Sequence, residues 1–424
     1  MKRVLAAALL LGVLLGSLTA ATAAPAEQQV FVPDGVPTHI VVFKTGVSTD
    51  TAVRGMMQAH GLRVSNIYRH ALNGFAAVIP PARLAALRND PRVAYIEPNQ
   101  VWTIAAQTVP TGVQRIFAPG NANLDIDGVD DLRVDVDVAV IDTGINYTHP
   151  DLNVVRRVNC VSILPWSSSC TNNSGDDGHG HGTHVAGTIA AKDNNIGPVG
   201  VAPGARLWAV RVLNNQGSGY TNQIIAGIDY VRANAASIEV ANMSLGCECS
   251  SAAQNQAITN LVNAGVVVVV AAGNSAKNAS TFSPANHPDV ITVSALADFN
   301  GLPGGGAAST CRTDQDDTLA DFSNFGSLVE ITAPGVCIYS TWKNGGYNTI
   351  SGTSMASPHV AGAAALIASV YNPANKTDVL NIRATLINNG NFNWTDDSGD
   401  GIKEPLLDVS NTGVFAPRMV AGSQ

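Results

Sequence analysis

Beyond about residue 136, short apolar runs alternate with longer stretches of helical composition. Val136-Asp137-Val138-Ala139-Val140-Ile141 and residues 207–213, 240–245, 266–272 and 290–294 predict strands. They are almost continuously apolar instead of alternating, as expected of strands covered on both faces. Residues 182–191, 221–234, 253–263 and 360–368 predict helices between and after them. The alternation predicts an α/β fold whose mostly parallel central sheet is covered by helices on both faces. No GxGxxG follows the first strand, so a dinucleotide site is not supported.

A smaller α+β unit precedes this pattern, over residues 38–103. Residues 39–43, 74–79 and 93–98 read as strands. Residues 81–88 read as a helix with Pro81 in its first turn. The unit is either an ordinary N-terminal domain or a segment that is removed. Further upstream, Lys2 and Arg3 lead into an apolar run from Val4 to Leu18, then Ala20-Ala21-Thr22-Ala23-Ala24. That order predicts a signal peptide over residues 1–24, with cleavage after Ala23, Ala24 or Ala26. The alternative is a membrane anchor, but the run is shorter than the ~20 residues a spanning helix needs.

Composition narrows the partners. The chain has 424 residues, 46% hydrophobic and 13% charged, with 40 glycines and a net charge of -8. It carries no basic run with interleaved aromatics, which argues against nucleic acid. Six cysteines in a secreted chain suggest disulfides. Proximity favours Cys160 with Cys170, and Cys311 pairs naturally with Cys337. Cys247-Glu248-Cys249 could close a small ring, but its partners are the least certain. Two acidic stretches stand out. Asp125-Ile126-Asp127-Gly128 resembles part of a calcium loop without completing one, and reads as a solvated loop. Asp396-Asp397-Ser398-Gly399-Asp400-Gly401 is another acidic, glycine-rich turn, with calcium there the less favoured reading.

Three stretches carry chemistry. Asp142, with Thr143 and Gly144, ends the first buried strand, where open α/β sheets place their sites. His179, His181 and His184 cluster beside Asp177 at a helix start. They read either as zinc ligands or as a catalytic base with neighbours, and no HExxH is present. Ser354 follows Ser351-Gly352-Thr353 and sits at the start of an alanine-rich helix, as a nucleophile or as a cap.

Val140-Ile141-Asp142-Thr143-Gly144, His181-Gly182-Thr183-His184-Val185-Ala186-Gly187 and Gly352-Thr353-Ser354-Met355-Ala356-Ser357-Pro358, in that order, resemble the three motifs of the subtilisin family of serine proteases. The resemblance covers roughly residues 38–390. It implies Ser354 as nucleophile, His181 as general base and Asp142 as its orienting acid. His179 and His184 are then structural neighbours. Ala271-Ala272-Gly273-Asn274 matches the family's oxyanion segment, with Asn274 as donor. Gly217, Ser218, Gly219 and Tyr220, and Ser244, Leu245 and Gly246, match the two edges that hold an extended peptide. Phe282 falls near the wall of the S1 pocket. Cys247 stands where a second glycine is common, and no acid is identifiable at the pocket base, so strict basic specificity is not supported.

The resemblance also implies an inhibitor-like prodomain over residues 38–103. Residues 106–113 resemble a mature N-terminus, which places self-cleavage between Ala105 and Ala106. A small P1 and an aromatic P4, Trp102, follow from that junction. Calcium is implied at a loop using Gln107, Asp151, Asn194 and the carbonyls of Lys192, Ile196 and Pro198. A weaker calcium site would use the carbonyls of Pro288 and Val290 with Glu330. The catalytic domain would span 106–410, with 411–424 a tail without motif. The expectation is a secreted, monomeric endopeptidase acting on polypeptides, inhibited by its own prodomain and free of the membrane once the signal is removed. A catalytically silent binding protein on this fold, or a zinc protease built on the three histidines, are the alternatives.

Overall fold

A computed structural model describes residues 37–99, 101–103, 111–161 and 170–422. The strand Asp137–Asp142 is buried throughout, and the central sheet is ordered around it. On one side lie Arg206–Arg211, then Val154–Asn159. On the other lie Val240–Met243, Val267–Ala271 and Ile291–Ala297. All these neighbours pair in parallel. Short antiparallel strands, Thr171–Asn172 and Thr318–Leu319, lie at the ends of this order, and Ile331–Pro334 adds in parallel to Ile291–Ala297. The strand order therefore reverses beside Asp137–Asp142, so the ends of this strand and of Val240–Met243 flank the crevice where such sheets bind ligands.

Two helices, His181–Ala190 and Thr353–Tyr371, pack against each other and contact the sheet. A second pair, Thr221–Ala233 and Ala252–Val262, also pack together. Every predicted strand and helix of this body is present to within a few residues, except that the helix expected over 360–368 already begins at Thr353 and runs to Tyr371. Val154–Asn159 escapes the apolar pattern because Arg156 and Arg157 interrupt it. Arg157 stacks on the Tyr147 ring at 3.5 Å from its centroid, so its stem is used without a buried charge.

The N-terminal domain is a four-stranded antiparallel sheet in the order Arg63–Tyr68, Gly74–Val78, His39–Phe43, Val93–Pro98, with helices Thr49–His60 and Pro81–Arg88. Val41, Phe43, Phe75 and Ala77 join Met56 and Leu87 in its own core. Ile40, Val42 and Ala76 point the other way and belong to the core of the main body. Strand periodicity thus buries both faces of this small sheet.

Hydrogen bonds fasten the contact. Glu97 accepts from Ser251 Oγ at 2.7 Å and from the Ala253 N–H at 2.9 Å, so its carboxylate caps the helix Ala252–Val262. Tyr68 donates to the Asn222 carbonyl at 2.9 Å, and Asp229 accepts from the His70 N–H at 2.6 Å.

Residues 411–422, expected as a tail, are packed onto the main body. Phe415 is fully buried, and Met419–Ala421 pairs antiparallel with Leu132–Val134. Disulfides join Cys160–Cys170, Cys247–Cys249 and Cys311–Cys337.

Candidate active site

Asp142 ends its strand and His181 begins the next helix, and the two side chains meet. His181 Nδ1 lies 2.8 Å from Asp142 Oδ1, with both residues fully buried. Two glycines permit this approach. A Cβ on Gly182 would lie 2.1 Å from the Gly144 carbonyl oxygen and 3.1 Å from Asp142 Cβ. Gly180 caps the helix at φ +113, and a Cβ there would strike the Trp342 ring. Asp177 holds the turn. Its Oδ1 accepts from the His179 and Gly180 N–H groups, and its Oδ2 from the N–H and hydroxyl of Thr183. Asp177 was visible in sequence only as an acid beside the histidines; its capping role was not.

The other two histidines have separate tasks. His184 Nε2 lies 2.9 Å from the Ile338 carbonyl, which accepts from it, and burial draws its pKa down to about 3. His179 is lowered too, first by burial and then by His181. Among the described residues, no three His, Cys, Asp or Glu side chains are arranged to hold a metal. His181 is paired with Asp142 and His184 with the Ile338 carbonyl, so the three histidines have separate partners.

Ser354 lies in the first turn of the helix Thr353–Tyr371, whose leading N–H groups have no acceptor within the helix. Its hydroxyl donates to the Ser244 carbonyl at 3.2 Å, and Ser244 Oγ donates back to the Ser354 carbonyl at 2.8 Å. His181 Nε2 is buried and has no hydrogen-bond partner. Asn274 follows the strand Val267–Ala271. Its Oδ1 accepts from Thr353, and its Nδ2 is buried without an acceptor.

A cavity of about 300 Å³ lies beside these groups, lined by Leu245, Gly246, Cys247, residues 271–274 and Phe282 among others. Glu248, also in its lining, pairs with Lys277 at 2.7 Å, both half exposed. Along one edge, Ser218–Tyr220 pairs antiparallel with Val101–Thr103 of the N-terminal segment, Gly219 facing Trp102. Gly217 turns into this edge at φ +74. Gln107 and the Ala105–Ala106 junction lie outside the described residues.

The loop proposed for calcium closes on Asp151. Asp151 Oδ1 accepts from Asn194 Nδ2 at 2.7 Å, and Oδ2 is buried. Burial pushes this carboxyl up to about 6. A Cβ on Gly197 would come within 2.4 Å of Asp151 Oδ2 and 2.1 Å of the Tyr347 ring, and the Tyr347 hydroxyl also reaches this carboxylate. The weaker calcium site is overturned. Arg383 donates to the Pro288 carbonyl at 2.6 Å and the Val290 carbonyl at 3.1 Å, and pairs with Glu330. A guanidinium already supplies the positive charge that those three acceptors need.

The Asp142–His181 pair, a serine in the first turn of a helix and a strand of the N-terminal segment paired along the edge Ser218–Tyr220 point to a serine endopeptidase as the class. The Subtilase family model matches residues 134–405, and the Peptidase inhibitor I9 model matches residues 38–105. Subtilisin E of Bacillus subtilis (strain 168) is 38% identical over 359 residues, covering 83% of this chain and 86% of the relative. An alkaline protease of Shouchella clausii is 36% identical over 367 residues, covering 86% and 88%. A solved cold-adapted subtilisin-like serine proteinase superposes with a TM-score of 0.51 at 37% identity, covering 64% of this chain and 88% of that one. The chain belongs to the subtilase family: it is a serine endopeptidase that carries an I9-type N-terminal prodomain.

Proposed function

We propose that this chain is a secreted, self-processing endopeptidase that cleaves peptide bonds through an acyl-enzyme on Ser354. The carrying observation is that His181 Nε2, on the ring whose Nδ1 faces Asp142, and Asn274 Nδ2, whose oxygen is held by the residue before Ser354, are both buried and unpaired. Unused polar groups in a packed interior are costly, so such a pair marks a site kept open for a reacting group.

Ser354 Oγ attacks the peptide carbonyl carbon, and its proton passes to His181 Nε2. Asp142 holds Nδ1 protonated and steadies the imidazolium that forms. The carbonyl oxygen becomes an oxyanion, taken by Asn274 Nδ2 and the Ser354 backbone N–H. Collapse breaks the C–N bond, and His181 returns the proton to the leaving amine. Water then repeats the sequence on the acyl-enzyme and releases Ser354. In the resting cleft the Ser354 hydroxyl is turned to the Ser244 carbonyl, so the first event on substrate binding is its rotation toward His181.

Substrate would lie as an added strand between residues 217–219 and residues 244–246, bound mainly by backbone. The prodomain strand Val101–Thr103 supports this, because it already pairs with one of those edges. The prodomain would therefore inhibit as a retained product, with cleavage between Ala105 and Ala106 and its removal releasing the cleft. Cys247, Leu245 and Phe282 would bound S1. Secretion rests on the N-terminal pattern of residues 1–24; among the described residues no helix is long and apolar enough to cross a membrane.

A calcium ion would be held by Asp151, Asn194 and the carbonyls of Lys192, Ile196 and Pro198, with Gln107 completing the set. The buried Asp151 carboxylate, reached by Asn194 and Tyr347, and the loop that closes on it supply the hard oxygen donors that suit such a cation. The ion's contribution would be structural.

Ser354→Ala tests the reading: the chain should fold with its prodomain uncleaved and show no peptide-bond hydrolysis. Self-cleavage by that variant would refute it.

A further inference from the structure

The helix His181–Ala190 turns one face to a hairpin made of Ile338–Trp342 and Gly346–Ile350. Gly180, His184 and Gly187 are spaced i, i+4, i+7, so they lie along a single stripe of that helix. Each of them meets the hairpin. A Cβ on Gly187 would lie 2.3 Å from Thr341 Oγ1 and 2.5 Å from Ser340 Oγ, so the glycine leaves room for those two hydroxyls. They donate to carbonyls of the helix itself, Ser340 to His184 at 2.8 Å and Thr341 to Thr183 at 2.7 Å. The His184 side chain returns a bond to the hairpin at the Ile338 carbonyl. At the start of the stripe, a Cβ on Gly180 would lie 2.4 Å from the Trp342 ring. Lys343, one residue on, donates to the Gly178 carbonyl at 2.9 Å.

Trp342 therefore covers the turn that delivers His181. Its ring centroid lies 6.1 Å from that of His184 and 6.5 Å from that of His179, whose ring is 6.4 Å from that of His181. Asp177 grips the same turn through the His179 and Gly180 N–H groups. Asp142 holds His181 only at Nδ1, about which the imidazole can still swing if its backbone shifts. The hairpin is itself anchored at both ends. At its tip the Gly345 N–H donates to Asn146 Oδ1 at 2.9 Å, and His149 Nε2 donates to the Gly346 carbonyl at 2.8 Å. At its base the Gly352 N–H donates to the Gly335 carbonyl at 2.7 Å. From Ile350 the chain passes through Ser351 and Gly352 straight into the helix that carries Ser354. One anchored element thus holds the histidine turn and leads into the serine turn.

We propose that this hairpin sets the spacing of His181 and Ser354, with Trp342 as its positioning residue. A general base works only within hydrogen-bond reach of the proton it takes, and a misplacement of about 1 Å can cost about 10²-fold in rate. The inference rests on His181 as base and Ser354 as nucleophile, and assigns the ring over Gly180 the task of keeping that base in reach.

The test compares the mature parent enzyme with Trp342→Ala, Trp342→Phe and Thr341→Val. Trp342→Ala is expected to lower kcat on a peptide amide about 10- to 100-fold, with KM within about twofold of the parent. It should slow phosphonylation of Ser354 by a similar factor and shift the NMR resonance of the His181 Nδ1 proton. Trp342→Phe puts a ring back over Gly180 and should recover most of the rate. Thr341→Val keeps the side-chain shape and loses the bond to Thr183. Its kcat should fall about threefold, and it decides the matter alone if Trp342→Ala fails to fold. A raised KM with unchanged kcat in Trp342→Ala would make the ring a wall for substrate and overturn the proposal. Parental kcat in Thr341→Val would overturn it too, as would a slow Trp342→Ala enzyme whose His181 resonance has not moved. A parent enzyme that is not phosphonylated at Ser354 would refute the nucleophile itself, and the positioning role with it.

Discussion

The Thr353 backbone N–H donates to Asn274 Oδ1 at 2.9 Å, and the Thr353 hydroxyl reaches the same oxygen at 3.0 Å. The residue before Ser354 thereby orients the carboxamide: its oxygen is consumed and its NH₂ is left free in the cleft. Thr353 also takes the Gly273 N–H at 3.1 Å, which ties the helix start to the turn that carries Asn274. Nothing in the sequence singled Thr353 out beyond its place in the serine motif.

Asn274→Leu is expected to lower kcat about 10²–10³-fold with KM nearly unchanged, the magnitude seen when the corresponding donor is removed from subtilisin. Thr353→Val keeps the backbone N–H and loses only the hydroxyl, so its loss in kcat should be about tenfold at most. Steady-state kinetics on a peptide amide checks both, and a rise in KM without loss of kcat would assign Asn274 to ground-state binding instead.

Asp142→Asn should leave the fold intact and lower kcat about 10⁴-fold, because Nδ1 then loses its acceptor and the wrong tautomer faces Ser354. Part of the activity should return at alkaline pH. An unchanged kcat would remove Asp142 from the site.

The Asp151 carboxyl lies near 6 in the fold without metal, above its ordinary 3.8. A raised carboxyl makes the fold hold its proton more tightly, so its contribution to stability is greatest below about 3.8 and is lost as pH rises toward 6. Calcium needs the carboxylate, so its affinity should climb about tenfold per pH unit up to about pH 6 and then level off. Chelation should therefore lower Tm strongly at about pH 7.5 and only slightly at about pH 5. Asp151→Asn should abolish the pH-dependent part of the calcium effect. Thermal melts with and without chelator decide this; equal shifts at both pH values would contradict it.

Arg383→Ala strips the cation from Glu330 and two carbonyls. A loss of about 2 kcal/mol is expected, since Glu330 is 9% exposed and Arg383 22%. The emptied site should then gain stability from added calcium more than the parent protein does. Denaturant melts with and without calcium measure both effects, and a variant as stable as the parent would make the pair incidental.

Much of the main body was legible because its strands are buried on both faces and read as unbroken apolar runs. The serine, histidine and aspartate motifs were legible because each sits in a short, small-residue turn whose sequence is dictated by close approach, as Gly182 is by Asp142. Other features lacked a local signal. The helix Thr49–His60 has Gly55 at its centre and a polar composition, and Arg63–Tyr68 mixes charge with apolar residues, so neither showed a clean period. Arg383 meets Glu330 across 53 residues of chain and Glu97 meets Ser251 across 154, separations at which no sequence pattern predicts a partner. The weaker calcium site failed for that reason: its oxygens were correctly grouped, but the cation came from a distant arginine.

The most direct measurement is covalent labelling of the mature enzyme with a serine-directed phosphonylating reagent, followed by peptide mapping. The expected result is one label per chain, on Ser354, with activity lost in proportion and labelling abolished in His181→Ala. Full activity after complete labelling, or a label on another residue that accounts for the loss, would contradict the assignment of Ser354 as nucleophile.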